Sequence, residues 1–180
     1  FALRQGLARA GVPALKVDSD GVSLDHAALE VDVLAFRRRV AECTQAGLAA
    51  ATDLYRGEFL EGFRVQSSGF EEWLTRQREQ LRASALDSLR TLAGKQMTAG
   101  ATEAALATTL RLLSIDPFDE PAHRTVMRLH ADSGRQVQAL RQYQACVALL
   151  RRELDVAPSS DTRELYRQIL TRQESRSSEW

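Results

Sequence analysis

Only two cysteines occur in the 180 residues, Cys43 and Cys146. They lack the close spacing of a zinc knuckle and the density of a disulfide-stapled secreted scaffold, so both are expected to behave as small apolar residues in the core. Long apolar runs are missing too. No segment approaches the ~20 residues that span a bilayer, and residues 1–10 have neither the apolar centre nor the cleavage signal of a secretory leader. A soluble, cytoplasmic chain with no membrane partner is expected. Net charge is also absent, because 24 Lys and Arg balance 24 Asp and Glu. That balance argues against a uniformly basic nucleic-acid binder, but it is uneven. Residues 1–17 hold Arg4, Arg9 and Lys16 and no acid, so a polyanion would meet the amino end.

Catalytic and metal-binding patterns are lacking as well. His123 and His130 lie seven residues apart on one expected helix; at ~1.5 Å per residue they are about 10 Å apart, too far to share a metal through adjacent turns. They are expected at the helix surface or half-buried. His26 has no identifiable ligand partners. Glu71 and Glu72 are neighbours, so on a helix they point about 100° apart and cannot face each other as an acid and a base. The glycines of residues 56–69 lack the Lys–Ser/Thr and the strand-to-helix setting of a phosphate loop. Arg37, Arg38 and Arg39 fan around a helix axis and form no single stripe. The expectation is a protein with no catalytic residues, no metal and no cofactor, and not an enzyme.

What is present is a succession of periodic segments. Residues 1–10 carry Leu3, Leu7 and Ala10 at core-facing intervals with Arg4, Gln5, Ala8 and Arg9 on another face, and Gly11 and Pro13 end that helix. Two alternating runs, Leu15–Lys16–Val17 and Val22–Ser23–Leu24, flank Asp18–Ser19–Asp20–Gly21, which reads as a β-hairpin. Such a hairpin is marginal alone, so residues 1–29 are expected to be the end of a larger unit.

From Asp32 onward only helices are expected. Asp32 reads as an N-cap for a helix to about Gly47, followed by a shorter one through Leu48, Ala51 and Leu54. Residues 56–69 read as a loop pinned by its own apolar side chains. Residues 70–97 form the longest segment, with Trp73, Leu74, Leu81, Ala85, Leu89 and Leu92 on one stripe. Gly100 opens the next helix. Asp119 caps another whose first turn tolerates Pro121, and residues 135–152 make one more, with Arg151 and Arg152 at its carboxyl end. Asp161 and Glu164 read as a capping box for a last helix to about Leu170, followed by a polar tail.

Gly100 and Gly134 are 34 residues apart, the period of the tetratricopeptide repeat. Ala105 and Ala139 follow them by five positions, and Leu92 and Val126 precede them by eight. Pro117 and Tyr143 fill a closing and an aromatic position, whereas Thr109 and Arg151 depart from the pattern. The spacing predicts paired helices packed through small residues.

The run Tyr55 to Phe63, then Glu72–Trp73 and Arg76, Leu112–Leu113, Asp116–Pro117, Glu120, His123–Arg124, Gly134, residues 139–143, Glu153–Leu154, Pro158 and Thr162 together resemble the bacterial transcriptional activation domain of SARP-type regulators. The resemblance covers roughly residues 30–170. In that family the module follows an OmpR-like winged-helix domain, and residues 1–29 resemble its carboxyl-terminal part: a recognition helix around Leu3, Arg4, Gln5 and Leu7, and a wing from Leu15 to Leu24. The resemblance implies a mainly α fold, a tetratricopeptide-like helical-hairpin array over 30–172 preceded by a truncated winged helix over 1–29 and followed by a polar tail over 173–180. It implies an activator that meets double-stranded DNA through the intact winged helix, with Arg4, Gln5, Arg9, Lys16 and Ser19 as contact residues. It also implies protein partners for the helical module: RNA polymerase or other transcription proteins, and a second copy in a homodimer. The rival expectation is a helical scaffold for a peptide or protein, or a regulatory segment of a larger signalling protein, with no role for DNA.

Overall fold

A computed structural model describes residues 5, 6, 9, 15–17, 21–25 and 29–177. Two compact units divide at residues 56 and 57, and each is considered by itself.

In the first unit Gln5, Gly6 and Arg9 are helical. Strands β1 (Leu15–Val17) and β2 (Val22–Leu24) pair antiparallel, with Leu15 opposite Leu24, Lys16 opposite Ser23 and Val17 opposite Val22. The two alternating runs thus pair as strands, and the expected turn residues 18–20 lie outside the described residues. Two helices follow, α1 (Asp32–Ala41) and α2 (Gln45–Leu54). They bury Ala35 and Phe36 against Leu48, Ala51 and Thr52, with Phe36 6.3 Å from Tyr55 by ring centroid.

Three expectations fail in this segment. Asp32 is not the N-cap but the first helical residue, and its carboxylate accepts from the next amide, Val33 N, at 2.7 Å. Nor does α1 continue to Gly47. The chain reverses at Cys43, whose φ is +50°, and Thr44 caps α2 by accepting from Gly47 N at 2.9 Å. Turned outward by that reversal, Cys43 is exposed, not part of the core. Gly47 sits inside α2 because a Cβ there would meet the Arg39 carbonyl oxygen at 3.0 Å and Glu42 Cβ at 3.0 Å. It marks a close approach of two helices, not a helix end.

The second unit begins with a loop and then α3 (Ser68–Thr98), α4 (Thr102–Ile115), α5 (Glu120–Asp132), α6 (Gln136–Leu154) and α7 (Ser160–Ser177). The apolar stripe of α3 buries Leu74, Leu81, Ala85, Leu89 and Leu92 as expected, while Trp73 stays exposed. One core gathers Leu86, Leu89, Leu112 and Ala122. Another gathers Met127, Ala139, Leu165 and Ile169, flanked by the stacked rings of Tyr143 and Tyr166 at 4.0 Å.

The 34-residue period has a backbone counterpart. Gly100 and Gly134 have φ of +71° and +75°. Gly100 N donates to Met97 O and Ala101 N to Gln96 O; Gly134 N donates to Ala131 O and Arg135 N to His130 O. Both glycines thus occupy the left-handed position that closes a helix and satisfies its orphan carbonyls. Gly100 ends α3 and does not open α4. Five residues later Ala105 and Ala139 are each 0% exposed, so the helix backbones meet where side chains are smallest.

The loop of residues 55–67 is fixed largely by one side chain. Arg78 Nε donates to Phe59 O at 2.8 Å and its Nη2 to Leu60 O at 2.9 Å. Aromatic contacts of Phe59 with Trp73 and of Phe63 with Phe70 add to this, yet Phe63 remains 52% exposed. At the other end, α7 is not started by an Asp161–Glu164 box. Ser159 precedes α7, and Glu120 of α5 reaches across to it, accepting from Ser159 N at 2.9 Å, Ser159 Oγ at 2.8 Å and Thr162 Oγ1 at 2.6 Å. The helix then continues past Leu170 to Ser177.

These packing and capping interactions lead to two predictions. Gly47→Ala should lower stability by about 1–3 kcal/mol, as overpacking does, although alanine is normally the better helix former; chemical denaturation of the two proteins decides the sign. Burial pushes the Glu120 carboxyl up, but the Thr162 hydroxyl, the N–H and hydroxyl of Ser159 and the Arg124 guanidinium outweigh it and hold the pKa below the ordinary carboxylate value. A depressed folded pKa makes this stabilisation complete above the unfolded pKa, ~4.3, and removes it as pH falls through the folded value. Glu120→Gln should therefore lower stability by about 1–3 kcal/mol at neutral pH, with the gap to the parent narrowing in melts below about pH 4.

Candidate nucleic-acid interface and docking face

Of the five residues expected to contact DNA, three fall among those described. Gln5 and Arg9 are helical and exposed; four positions apart, they share one side of a helix. Lys16 is exposed in β1 and its Nζ lies 3.1 Å from Asp25 Oδ2. Arg4 and Ser19 lie outside the described residues. Among the described residues no bond joins Lys16 to the Gln5–Arg9 pair.

The Lys16–Asp25 pair does not remove the lysine from use. Its side chain is 64% exposed, and an exposed ion pair is worth about 0–1 kcal/mol. A phosphate can replace the carboxylate at little cost. Arg37, Arg38 and Arg39 are likewise exposed, but Arg39 pairs with Glu42 at 3.1 Å, and consecutive helical positions send the three in different directions.

In the second unit most polar residues of the motif are engaged within the fold. Arg82 Nη2 donates to Ile115 O at 2.9 Å and lies 3.9 Å from Asp116. Asp119 caps α5 by accepting from Ala122 N at 2.8 Å and also takes Arg90 at 2.7 Å, with its side chain only 6% exposed. His123 is buried, not at the surface. Gln142 Nε2 lies 2.7 Å from His123 Nδ1, and His123 Nε2 lies 2.9 Å from Pro117 O. An amide NH₂ can only donate and a carbonyl can only accept, so the ring carries its proton on Nε2. Arg124 donates to Thr162 Oγ1 at 3.1 Å. Thr108 Oγ1 donates to Gln96 Oε1 at 2.7 Å between α3 and α4. Cys146 is buried as expected, and burial, with the nearby Glu120 charge, pushes its thiol up to about 11; it is no nucleophile at neutral pH.

What sequence reading missed is the face left over. A cleft opens between α3 and α5, lined in part by Gly94, Met97, Pro121 and Thr125. The available signal was Gly94 itself, an isolated glycine inside a helical pattern. Among the described residues no group of three His, Cys, Asp or Glu could hold a metal, and no helix is long and apolar enough to cross a membrane.

Residues 24–170 match the family described as the bacterial transcriptional activator domain. The fold is similar to that of Mycobacterium tuberculosis EmbR, solved in complex with a low affinity phosphopeptide, with a TM-score of 0.57 and 23% identity over 94% of this chain. This chain spans about half of that one, 47%. No curated protein matches. The matched region runs from the last residue of β2 into α7 and takes in both glycine-closed hairpins, and the chain belongs to the bacterial transcriptional activator domain family.

Proposed function

We propose that this chain is part of a transcription activator that binds double-stranded DNA sequence-specifically. Residues 1–29 would contribute the recognition helix and wing of an OmpR-like winged helix. Residues 30–172 would form the module that meets RNA polymerase or other transcription proteins and a second copy of the chain, with residues 173–180 as a polar tail. One observation carries this reading: a helical segment with exposed Gln5 and Arg9 is followed by an antiparallel hairpin bearing exposed Lys16. Guanidinium and carboxamide groups match base edges in the major groove, and a lysine on a hairpin can meet the backbone beside it.

The chemistry divides the residues. Arg4, Arg9, Lys16 and Ser19 are assigned mainly to phosphate contacts, which position the protein. Gln5 is assigned to a base edge. The neutral overall charge agrees with this division, since cations are needed only where the duplex lies.

The test uses the intact protein and duplex DNA from its own upstream region, titrated at several salt concentrations. Binding should weaken as salt rises, and the combined substitution of Arg4, Arg9 and Lys16 by alanine should flatten the dependence by roughly 0.9 in log–log slope for each phosphate no longer neutralised. Gln5→Ala should leave that slope unchanged and reduce discrimination at one base pair by about 1–3 kcal/mol. Binding that ignores salt, or no binding to that DNA, would sink the proposal.

A further inference from the structure

Two helices of the second unit present matching stripes to the cleft noted above. On α3 the stripe is Arg90, Gly94 and Met97, and on α5 it includes Pro121 and Thr125; intervals of three and four put each set on one face. The cleft holds ≈160 Å³. An apolar cavity of about 150 Å³ accepts a benzene ring, so one aliphatic or aromatic side chain fills this one.

The polar atoms of its walls are already engaged. Arg90 donates to Asp119 at 2.7 and 3.2 Å, Thr125 Oγ1 to Pro121 O at 3.0 Å, and Thr109 Oγ1 to Ala105 O at 2.7 Å. What remains for a ligand is carbon surface, including the adaptable side chain of Met97.

Gly94 gives the cleft its meaning. Glycine inside a helix is less favourable than alanine, and the usual reason for tolerating it, a close neighbour, holds at Gly47 but not here. A Cβ on Gly94 would meet no atom within 4 Å. The glycine serves nothing inside the fold, but it keeps one wall of the cleft open.

Charge selects the occupant. The chain reverses twice between α3 and α5, so the two helices run the same way, and the α5 stripe continues from Thr125 to Arg128 and then to Asp132, whose carboxylate lies 3.6 Å from the Arg172 guanidinium. Arg128 is exposed and has no ion pair among the described residues. Asp119 is neutralised by Arg90 and nearly buried. Asp87, the exposed acid on the α3 stripe, lies at the opposite end. We infer that the cleft docks one apolar side chain from a partner protein's segment, with an adjacent carboxylate of that segment meeting Arg128. This rests on the proposed role of the helical module in protein contacts and specifies the chemistry of what it takes.

The test is amide NMR of the full chain titrated with acetyl-Ser-Leu-Asp-Asp-Gly-amide, with the relative in which Asn replaces both Asp, and with the relative in which Ala replaces Leu. Saturable shifts are expected at Gly94, Met97, Thr125 and Arg128, at least fivefold weaker for either relative. Gly94→Leu should melt at or above the parent's temperature and bind the acidic peptide at least tenfold more weakly, and Arg128→Glu should abolish the preference for Asp over Asn. The salt-dependent DNA titration of Gly94→Leu should match the parent's, so loss of docking and loss of DNA binding are read separately. The assignment is overturned by shifts that map elsewhere or never saturate, by equal affinity for the three peptides, or by a Gly94→Leu protein that binds as the parent does. It is also overturned by concentration-dependent shifts at the same amides without peptide, which would place a second copy in the cleft.

Discussion

A chain leaving an α-helix must turn its next residues back across its own last carbonyls, and at Gly100 and Gly134 it does so at φ of +71° and +75°, values that a residue without Cβ adopts at no steric cost. Everything in the second unit depends on those two turns. Each sends the following helix back antiparallel, and each is followed five residues later by an alanine with no exposed surface. Because the alanine occupies so little room, the paired backbones approach closely and the larger residues, Leu89 and Leu112 in one core and Met127 and Ile169 in the other, fill the space around the point of approach. Glycine sets the direction and alanine sets the distance.

Apolar packing alone would leave the loops between hairpins loosely placed, since it is non-directional. Arginines supply the direction. Arg78, Arg82 and Arg90, all on α3, reach respectively the carbonyls of the preceding loop, the last carbonyl of α4 and the cap of α5. Ile115 O is one of the carbonyls a helix end leaves without an internal partner, and a guanidinium with donors in a fixed fork suits it. The α5–α7 joint uses the opposite chemistry: the Glu120 carboxylate gathers donors that α7 would otherwise leave facing water or the core. Hydrogen bonds to charged groups are worth about 1.5–3 kcal/mol where partly shielded, a directional contribution that apolar contacts do not supply.

The helical order and the repeat were legible because both are periodic. The intervals of α3, the glycine spacing and the alanines after each glycine all carry a pattern that a linear reading detects. The turn at Cys43 was not, since a non-glycine residue there takes positive φ and nothing in its chemistry announces it. The capping of α7 by Glu120 was invisible for a different reason: its partners are 39 and 42 positions away, and the local Asp161–Glu164 pattern supplied a plausible substitute. For the proposed interface, Arg9 and Lys16 stood out by composition and Gln5 through the family resemblance, whereas the cleft depends on two helices whose stripes meet only after folding.

Several charged residues that carry the family resemblance turn out to be architectural. Asp116, Glu120, His123 and Arg124 all have partners inside the fold, so a protein that docks on this module must use what those bonds leave free. In the proposed docking that remainder is carbon in the cleft and Arg128 beside it, a short-range recognition that depends on shape. The proposed engagement of DNA is of the other kind, exposed cations acting on a polyanion, and its strength is governed by the ions it releases. Salt therefore weakens the second strongly and the first only through Arg128, so the two kinds of recognition can be tuned independently in one chain whose charges sum to zero.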